Sequence, residues 1–162
     1  MIRKIALLAL LCVSLSAWAS PIPMDTMELR LGGDMDFSNA EGKMDFLVDS
    51  GLGYFVWDDI ELGGFLDWGY NGSDMGYGFG GFGEFNFDLD SFVTPYIGFK
   101  LGYFFGDFYV KNFVLTEYYV GSKFFVSESV APYLELYYDL ASEDAYVQNN
   151  EAKNYDVGLR VG

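Results

Sequence analysis

The chain has 162 residues, of which 51% are hydrophobic and 20% aromatic, and its 24 acidic and 9 basic side chains give a formal net charge of −15. Such an acidic chain is not expected to bind nucleic acid, because phosphates require a basic surface. It contains no histidine, which excludes Ser-His and Cys-His catalysis. A pair of carboxylates would arise by chance among so many acidic residues, so no enzymatic activity is expected.

Residues 1–19 have the pattern of a secretory signal peptide. Arg3 and Lys4 precede an apolar run, and the small-aromatic-small sequence "AWA" follows at 17–19. The apolar run is too short to span a membrane as a helix. Cleavage is therefore predicted after residue 19, leaving one domain at 20–162 that contains no cysteine.

From residue 26 onward, apolar residues alternate with charged residues or glycine. A period of two predicts β-strands with one apolar face. No stretch in this part of the sequence approaches the ~20 apolar residues of a membrane helix. Eight strands are predicted, at 26–37, 44–56, 60–70, 77–88, 95–105, 113–125, 130–140 and 154–162.

The predicted connections form two series on opposite ends of the strands. An even number of strands leaves both termini on one side, predicted to be the periplasm, where connections are short. The segment 141–154 is the longest and most polar connection, so it is predicted to be mobile and to face outward. The outward series is 38–43, 71–76, 106–112 and 141–153, and the inward series is 57–59, 89–94 and 126–129.

Glycines and charged residues share the non-apolar phase of these strands. Glycine weakens an exposed strand, whereas a narrow barrel has little room for bulky side chains on every inward position. The charged phase is therefore predicted to face the interior of a closed barrel and the apolar phase to face lipid. The inward charges are expected to form ion pairs, because unpaired charge is costly where water is scarce. They are Arg30, Asp49, Glu61, Asp67, Glu84, Lys100, Glu117, Lys123, Glu135, Asp139 and Arg160.

Several aromatic residues near the predicted strand ends indicate girdles at a membrane–water interface rather than a ligand-stacking site. No metal or cofactor site is expected, since the loop carboxylates lack the spacing of an EF-hand and are best explained as solvated charge. The girdle residues are Trp57, Trp68, Tyr70, Tyr77 and Tyr103.

The chain resembles the small eight-stranded outer-membrane barrels, namely the OmpA transmembrane domain and the OmpX/Ail-like proteins. This resemblance implies an all-β, antiparallel up-and-down transmembrane β-barrel that is monomeric, contacts outer-membrane lipid and lipopolysaccharide, and needs the barrel-assembly machinery for insertion. The sequence departs from the family in ending at Gly162, one residue before the position where an aromatic residue is usual. The resemblance is carried by "GLGYFVWDDIELGGFL" (51–66), "TPYIGFKLGYFF" (94–105), "VGSKFFVSESVAPYLELYYDL" (120–140) and "YDVGLRVG" (155–162).

Pattern resemblance indicates architecture better than function. An envelope-structural or adhesin-like role in the outer membrane is the leading interpretation. A narrow, low-conductance pore through the barrel is the second, although eight strands leave just enough interior for side chains. A soluble, lipocalin-like binding protein is the third.

Overall fold

The computed structural model describes residues 22–36, 45–89, 91–109, 111–148 and 151–162. The predicted signal peptide lies outside these residues, as does the first outward connection, 38–43. Every regular element in the described ranges is a β-strand. In chain order the strands are β1 (Met27–Asp36), β2 (Asp45–Trp57), β3 (Ile60–Tyr70), β4 (Met75–Asn86), β5 (Val93–Gly106), β6 (Phe113–Phe124), β7 (Tyr133–Ala141), β8 (Tyr146–Gln148), β9 (Glu151–Lys153) and β10 (Tyr155–Val161).

Eight of these strands form one sheet in the order β1-β2-β3-β4-β5-β6-β7-β10, and all neighbours are antiparallel. This confirms the predicted eight-stranded up-and-down arrangement. The sheet curls into a half-barrel, with β1 and β10 as its two edges. No backbone pairing joins these edges within the described residues, so the closed barrel of the prediction is seen only as a curled sheet.

The curl brings distant strands close together across the interior. Lys123 Nζ on β6 lies 2.8 Å from Glu28 Oε2 on β1. The hydroxyl of Tyr133, at the start of β7, is 2.8 Å from the position of a Cβ built on Gly32 of β1. Side chains of the concave face therefore meet each other rather than solvent. Among the described residues, no helix is long and apolar enough to cross a membrane.

Local turn chemistry ends the strands close to the predicted positions. Asp59, between β2 and β3, has a φ of 70°, a conformation that Asp tolerates better than most residues. Asn71 closes the next connection, because its Oδ1 accepts hydrogen bonds from the backbone N–H groups of Ser73 and Asp74 at 3.1 and 2.8 Å. Gly106 ends β5 with a φ of 113°, which favours glycine.

The structure corrects three local features of the prediction. A register shift between Phe55 and Trp57 marks a β-bulge, so the outward phase of β2 changes before the strand ends. The seventh strand begins at Tyr133 rather than residue 130, because Ser127 and Val130 form a separate bridge in the preceding turn. The segment 141–154 contains the antiparallel hairpin β8–β9, although no regular structure was predicted there.

The interior holds aromatic rings as well as the predicted glycines and charges. At six places an inward glycine is paired in register with an aromatic residue of the next strand. A Cβ built on each glycine would lie 2.3 to 2.7 Å from that side chain. Glycine therefore provides the space that its neighbour's ring fills. The pairs are Gly63–Phe82, Gly80–Phe65, Gly78–Phe104, Gly98–Tyr119, Gly121–Tyr96 and Gly158–Tyr137.

Candidate functional site

The outer surface of the sheet is apolar over most of its area. Thirty-five large hydrophobic side chains are exposed in the described residues, reaching 70% exposure at Leu159. The buried set in the same residues comprises nine hydrophobic side chains and ten polar or charged ones. This distribution is the reverse of a water-soluble domain, whose charged residues are almost never fully buried and whose exposed apolar patches are small.

Alternation along each strand produces this distribution, because successive side chains point to opposite faces of a sheet. On β5, Ile97, Phe99 and Leu101 are exposed while Lys100 between them is buried. On β6, where bulky residues occur in both phases of the sequence, Tyr118 is exposed. The other outward positions of β6 are likewise those of the predicted phase: Val114, Val120 and Phe124.

The predicted girdle residues divide between the two ends of the sheet. Trp57 ends β2 beside the turn to β3 and is exposed. The other four lie toward the opposite end, on neighbouring strands, where Trp68 pairs in register with Tyr77. Trp68, Tyr77 and Tyr103 are exposed, whereas Tyr70 is half-buried. Four of the five therefore lie on three neighbouring strands, β3, β4 and β5, toward the same end of the sheet.

All eleven predicted inward charges are buried or half-buried on the concave face, where they form two groups. In the first group, the guanidinium of Arg30 is 2.5 Å from Glu61 and 2.7 Å from Glu84. Lys123 Nζ approaches the same two carboxylates at 3.4 and 2.8 Å. Two cations are thus shared by carboxylates from β3 and β4, and Glu61 is fully buried.

Glu28 is a member of this group that the predicted set omits. Its carboxylate lies 2.8 Å from Arg30 Nε and 2.8 Å from Lys123 Nζ. The sequence alternation could have identified Glu28 as inward, because it lies two residues before Arg30 and residues two apart on a strand point to the same face. Aromatic rings also contact the two cations of this group. The Arg30 guanidinium lies 4.7 Å from the centroid of the Phe82 ring, and Lys123 Nζ lies 5.3 Å from the centroid of the Tyr96 ring.

The second group is built around Arg160 of β10. Its Nη1 and Nη2 donate hydrogen bonds to Glu117 at 3.0 and 2.8 Å, and Nη1 also donates to Glu135 at 2.7 Å. Lys100 Nζ donates to Asp67 Oδ2 at 3.0 Å and lies 4.0 Å from the centroid of the Phe65 ring. These contacts join β10 to β6 and β7, and β5 to β3, on the concave face.

Asp49 and Asp139 are the two remaining members of the predicted set. Asp49 lines the space beside the second group, and no ion pair joins it within the described residues. Asp139 is buried close to Glu117, its register partner on the neighbouring strand. The structure therefore brings nine of the eleven residues into two ion-paired groups.

Three spaces surround these groups. A cavity of about 50 Å³ lies between them, which holds at most a few water molecules. A cleft of about 1150 Å³ lies between β1 and the turn before β7, at the unpaired edges of the sheet. A third cavity, of about 370 Å³, opens at the end of the sheet where β2 begins and β5 ends. We call this third space the mouth cavity.

Aromatic residues that the sequence patterns did not identify line the mouth cavity. Phe108 and Tyr109 belong to the connection after β5, which folds inward because the Phe108 N–H donates to the Met75 carbonyl at 3.2 Å. Gly69 and Gly76 leave room for these rings, since a Cβ on Gly76 would lie 2.7 Å from Tyr109. Sequence patterns do not identify Phe108 and Tyr109 as interior residues, because they lie in a polar connection where no strand alternation applies.

Within the described ranges, no group of three or more Asp, Glu, Cys or His side chains has the arrangement of a metal site. The geometry thus consists of an apolar convex surface, an ion-paired concave surface and an aromatic cavity at one end. In comparisons with known proteins, the chain matches no protein-family model, no curated protein and no solved structure.

Proposed function

We propose that the protein is an integral outer-membrane β-barrel with an envelope-structural or surface-interaction role and no enzymatic activity. The observation that carries this proposal is the reversed distribution of apolar and charged side chains. Exposed leucines, valines and rings cover the convex face while glutamates and lysines are buried. In water this surface would favour association, whereas in a bilayer it is the side that contacts lipid.

Strand length and the need to pair the sheet edges support the proposed location in a bilayer. Seven of the eight strands of the sheet, β1 to β7, have 9 to 14 residues, and β10 has 7. A tilted strand needs about 9–11 residues to cross a bilayer. Unpaired backbone groups are very costly in lipid, so a spanning sheet must close. We therefore infer that β1 and β10 pair with each other in the membrane, completing the barrel.

Envelope fractionation tests the membrane assignment directly. The mature protein is expected in the outer-membrane fraction, and in mild SDS it should migrate differently before and after heating. Recovery in soluble form after osmotic shock would contradict the proposal and favour the lipocalin-like alternative.

Single cysteines can test the orientation, because the only natural cysteine, Cys12, lies in the predicted signal peptide. Lys111 and Glu143 form an exposed ion pair at one end of the sheet, and Glu128 is exposed at the other. A membrane-impermeant maleimide is expected to label Lys111→Cys or Glu143→Cys on intact cells, but Glu128→Cys only after the outer membrane is opened. The reverse pattern would contradict periplasmic termini.

A pore remains the alternative, and the interior argues against it. The space between the two charge groups is about 50 Å³, and an eight-stranded interior is just wide enough for its own side chains. Single-channel recording in planar bilayers is therefore expected to show no steady conductance.

A further inference from the structure

We propose that the mouth cavity binds small organic cations that carry an apolar or aromatic group. This inference goes beyond the proposed function and does not depend on it, because the cavity is a property of the curled sheet itself. Its volume of about 370 Å³ falls in the range of small-molecule sites, which combine apolar walls with a few polar groups.

One wall of the cavity is a cluster of aromatic rings. Phe104 and Phe113 are stacked, with centroids 5.2 Å apart and planes 7° from parallel. Tyr109 meets both rings edge-on, at 5.9 and 5.2 Å, and Phe108 meets Tyr109 at 5.1 Å. Faces of such rings attract cations, most strongly where water is excluded.

The deep side of the cavity carries an excess of negative charge. Five carboxylates and two cations line it: Asp49, Asp67, Glu117, Asp139 and Asp156, with Lys100 and Arg160. Both cations are already engaged, Lys100 with Asp67 and Arg160 with Glu117. The carboxylates outnumber these two cations, so the cavity has a negative potential that favours a cationic ligand over an anionic one.

One carboxylate oxygen in this lining has its hydrogen-bonding capacity unused. Asp67 is 5% exposed, and its Oδ1 has no hydrogen-bond partner within the described residues, although Oδ2 is bonded to Lys100. A buried acceptor without a donor is costly. An ammonium group entering the cavity supplies the missing positive charge.

The aromatic wall and the acidic side lie close enough to act on one ligand. Burial raises the pKa of the Tyr109 phenol, and the negative charges of Asp67 and Asp49 raise it further. The same field that disfavours a phenolate favours a cation held against the ring. A ligand can thus place its charged end toward Asp49 and Asp67 and its apolar end among the rings.

Calorimetric titration of the purified protein in a non-ionic maltoside detergent tests the inference. The probe is benzylammonium, whose N–H groups can donate to Asp67 Oδ1, and phenylmethanesulfonate is the matched anion. Saturable binding of the cation, at least about fivefold tighter than the anion, is expected. Equal binding of the two probes, or no saturable binding of the cation, would overturn the proposal.

Variants locate the binding in this cavity. Asp49→Asn is expected to weaken cation binding about fivefold, whereas Glu128→Gln, at the opposite end of the sheet, leaves it unchanged. Equal weakening by both would show that the cation responds only to overall charge and would overturn the assignment. If Asp49→Asn does not fold, Tyr109→Leu gives the same test, because it removes a ring and keeps every carboxylate.

Discussion

Replacing Gly63 by alanine tests how tightly the interior of the sheet is packed. A Cβ at Gly63 would lie 2.3 Å from Cζ of Phe82 and 2.5 Å from the carbonyl oxygen of Leu52. The Arg30 guanidinium lies 4.7 Å from the centroid of the same ring, and the carbonyl belongs to a paired strand. The adjacent Gly64 is the matched control, since the nearest atom to its Cβ is a carbonyl oxygen at 3.5 Å.

The two substitutions are expected to have opposite effects on the free energy of unfolding. Neither glycine has a positive φ, so alanine does not strain the backbone at either position. Overpacking at Gly63 should cost about 1–3 kcal/mol. At Gly64, reduced entropy of the unfolded chain should stabilise by roughly 0.4–1 kcal/mol. A difference of about 1.4–4 kcal/mol between the variants follows from these values.

Urea unfolding in phospholipid vesicles, followed by tryptophan fluorescence, measures this difference through the transition midpoint. Shortening the ring should restore part of the loss, so Gly63→Ala combined with Phe82→Leu is expected to be more stable than Gly63→Ala alone. Equal midpoints for Gly63→Ala and Gly64→Ala would refute the packing argument, as would a double variant in which the two losses simply add.

Three further predictions use the same unfolding assay. Leu136→Arg, on the exposed face of β7, should cost on the order of 2–4 kcal/mol if that face meets lipid at mid-depth; a neutral effect would contradict lipid contact. Lys123→Met should lower the free energy of unfolding by about 3–5 kcal/mol, because it leaves buried carboxylates with one cation fewer. Lys111→Met removes a cation from an exposed pair and should leave the midpoint unchanged. Similar losses in the two variants would contradict the argument that burial makes the Lys123 pairs important. Partial burial raises the pKa of Asp59, and repulsion from two nearby carboxylates raises it to a smaller extent. The contribution of Asp59 to the free energy of unfolding therefore falls as the pH rises through the carboxyl range. Asp59→Asn should therefore gain about 0.5 kcal/mol or less at neutral pH, with no gain once the carboxyl groups are protonated, and a gain that persists in acid would show a different cause.

Much of the fold follows from the sequence because a strand repeats every two residues. The alternation in "PYIGFKLGYFF" determines both the existence of β5 and the inward position of Lys100. The bulge at the end of β2 does not follow, since the register shift depends on pairing with β3 rather than on local sequence. The mouth cavity also escapes the pattern, because Phe108 and Tyr109 reach the interior through a turn whose path depends on neighbouring glycines.

Ion-pair partners are only partly determined by the alternation. It places charged residues on the concave face, but every inward cation then has several carboxylates within reach. Arg30 meets carboxylates on its own strand and on two others, at Glu28, Glu61 and Glu84. This choice depends on how tightly the sheet curls, which is a property of the whole sheet.

The glycine–aromatic pairs restrict which misaligned sheets the chain can form. Sliding one strand by two residues keeps every apolar side chain outward, so the alternation of apolar and charged residues cannot by itself exclude that misalignment. Such a slip would place Tyr119 opposite Tyr96 or Lys100 instead of Gly98. With either partner the ring loses the space that it occupies in the native alignment. The absence of a side chain at a few positions therefore disfavours misaligned sheets that would keep the same residues on the outer face.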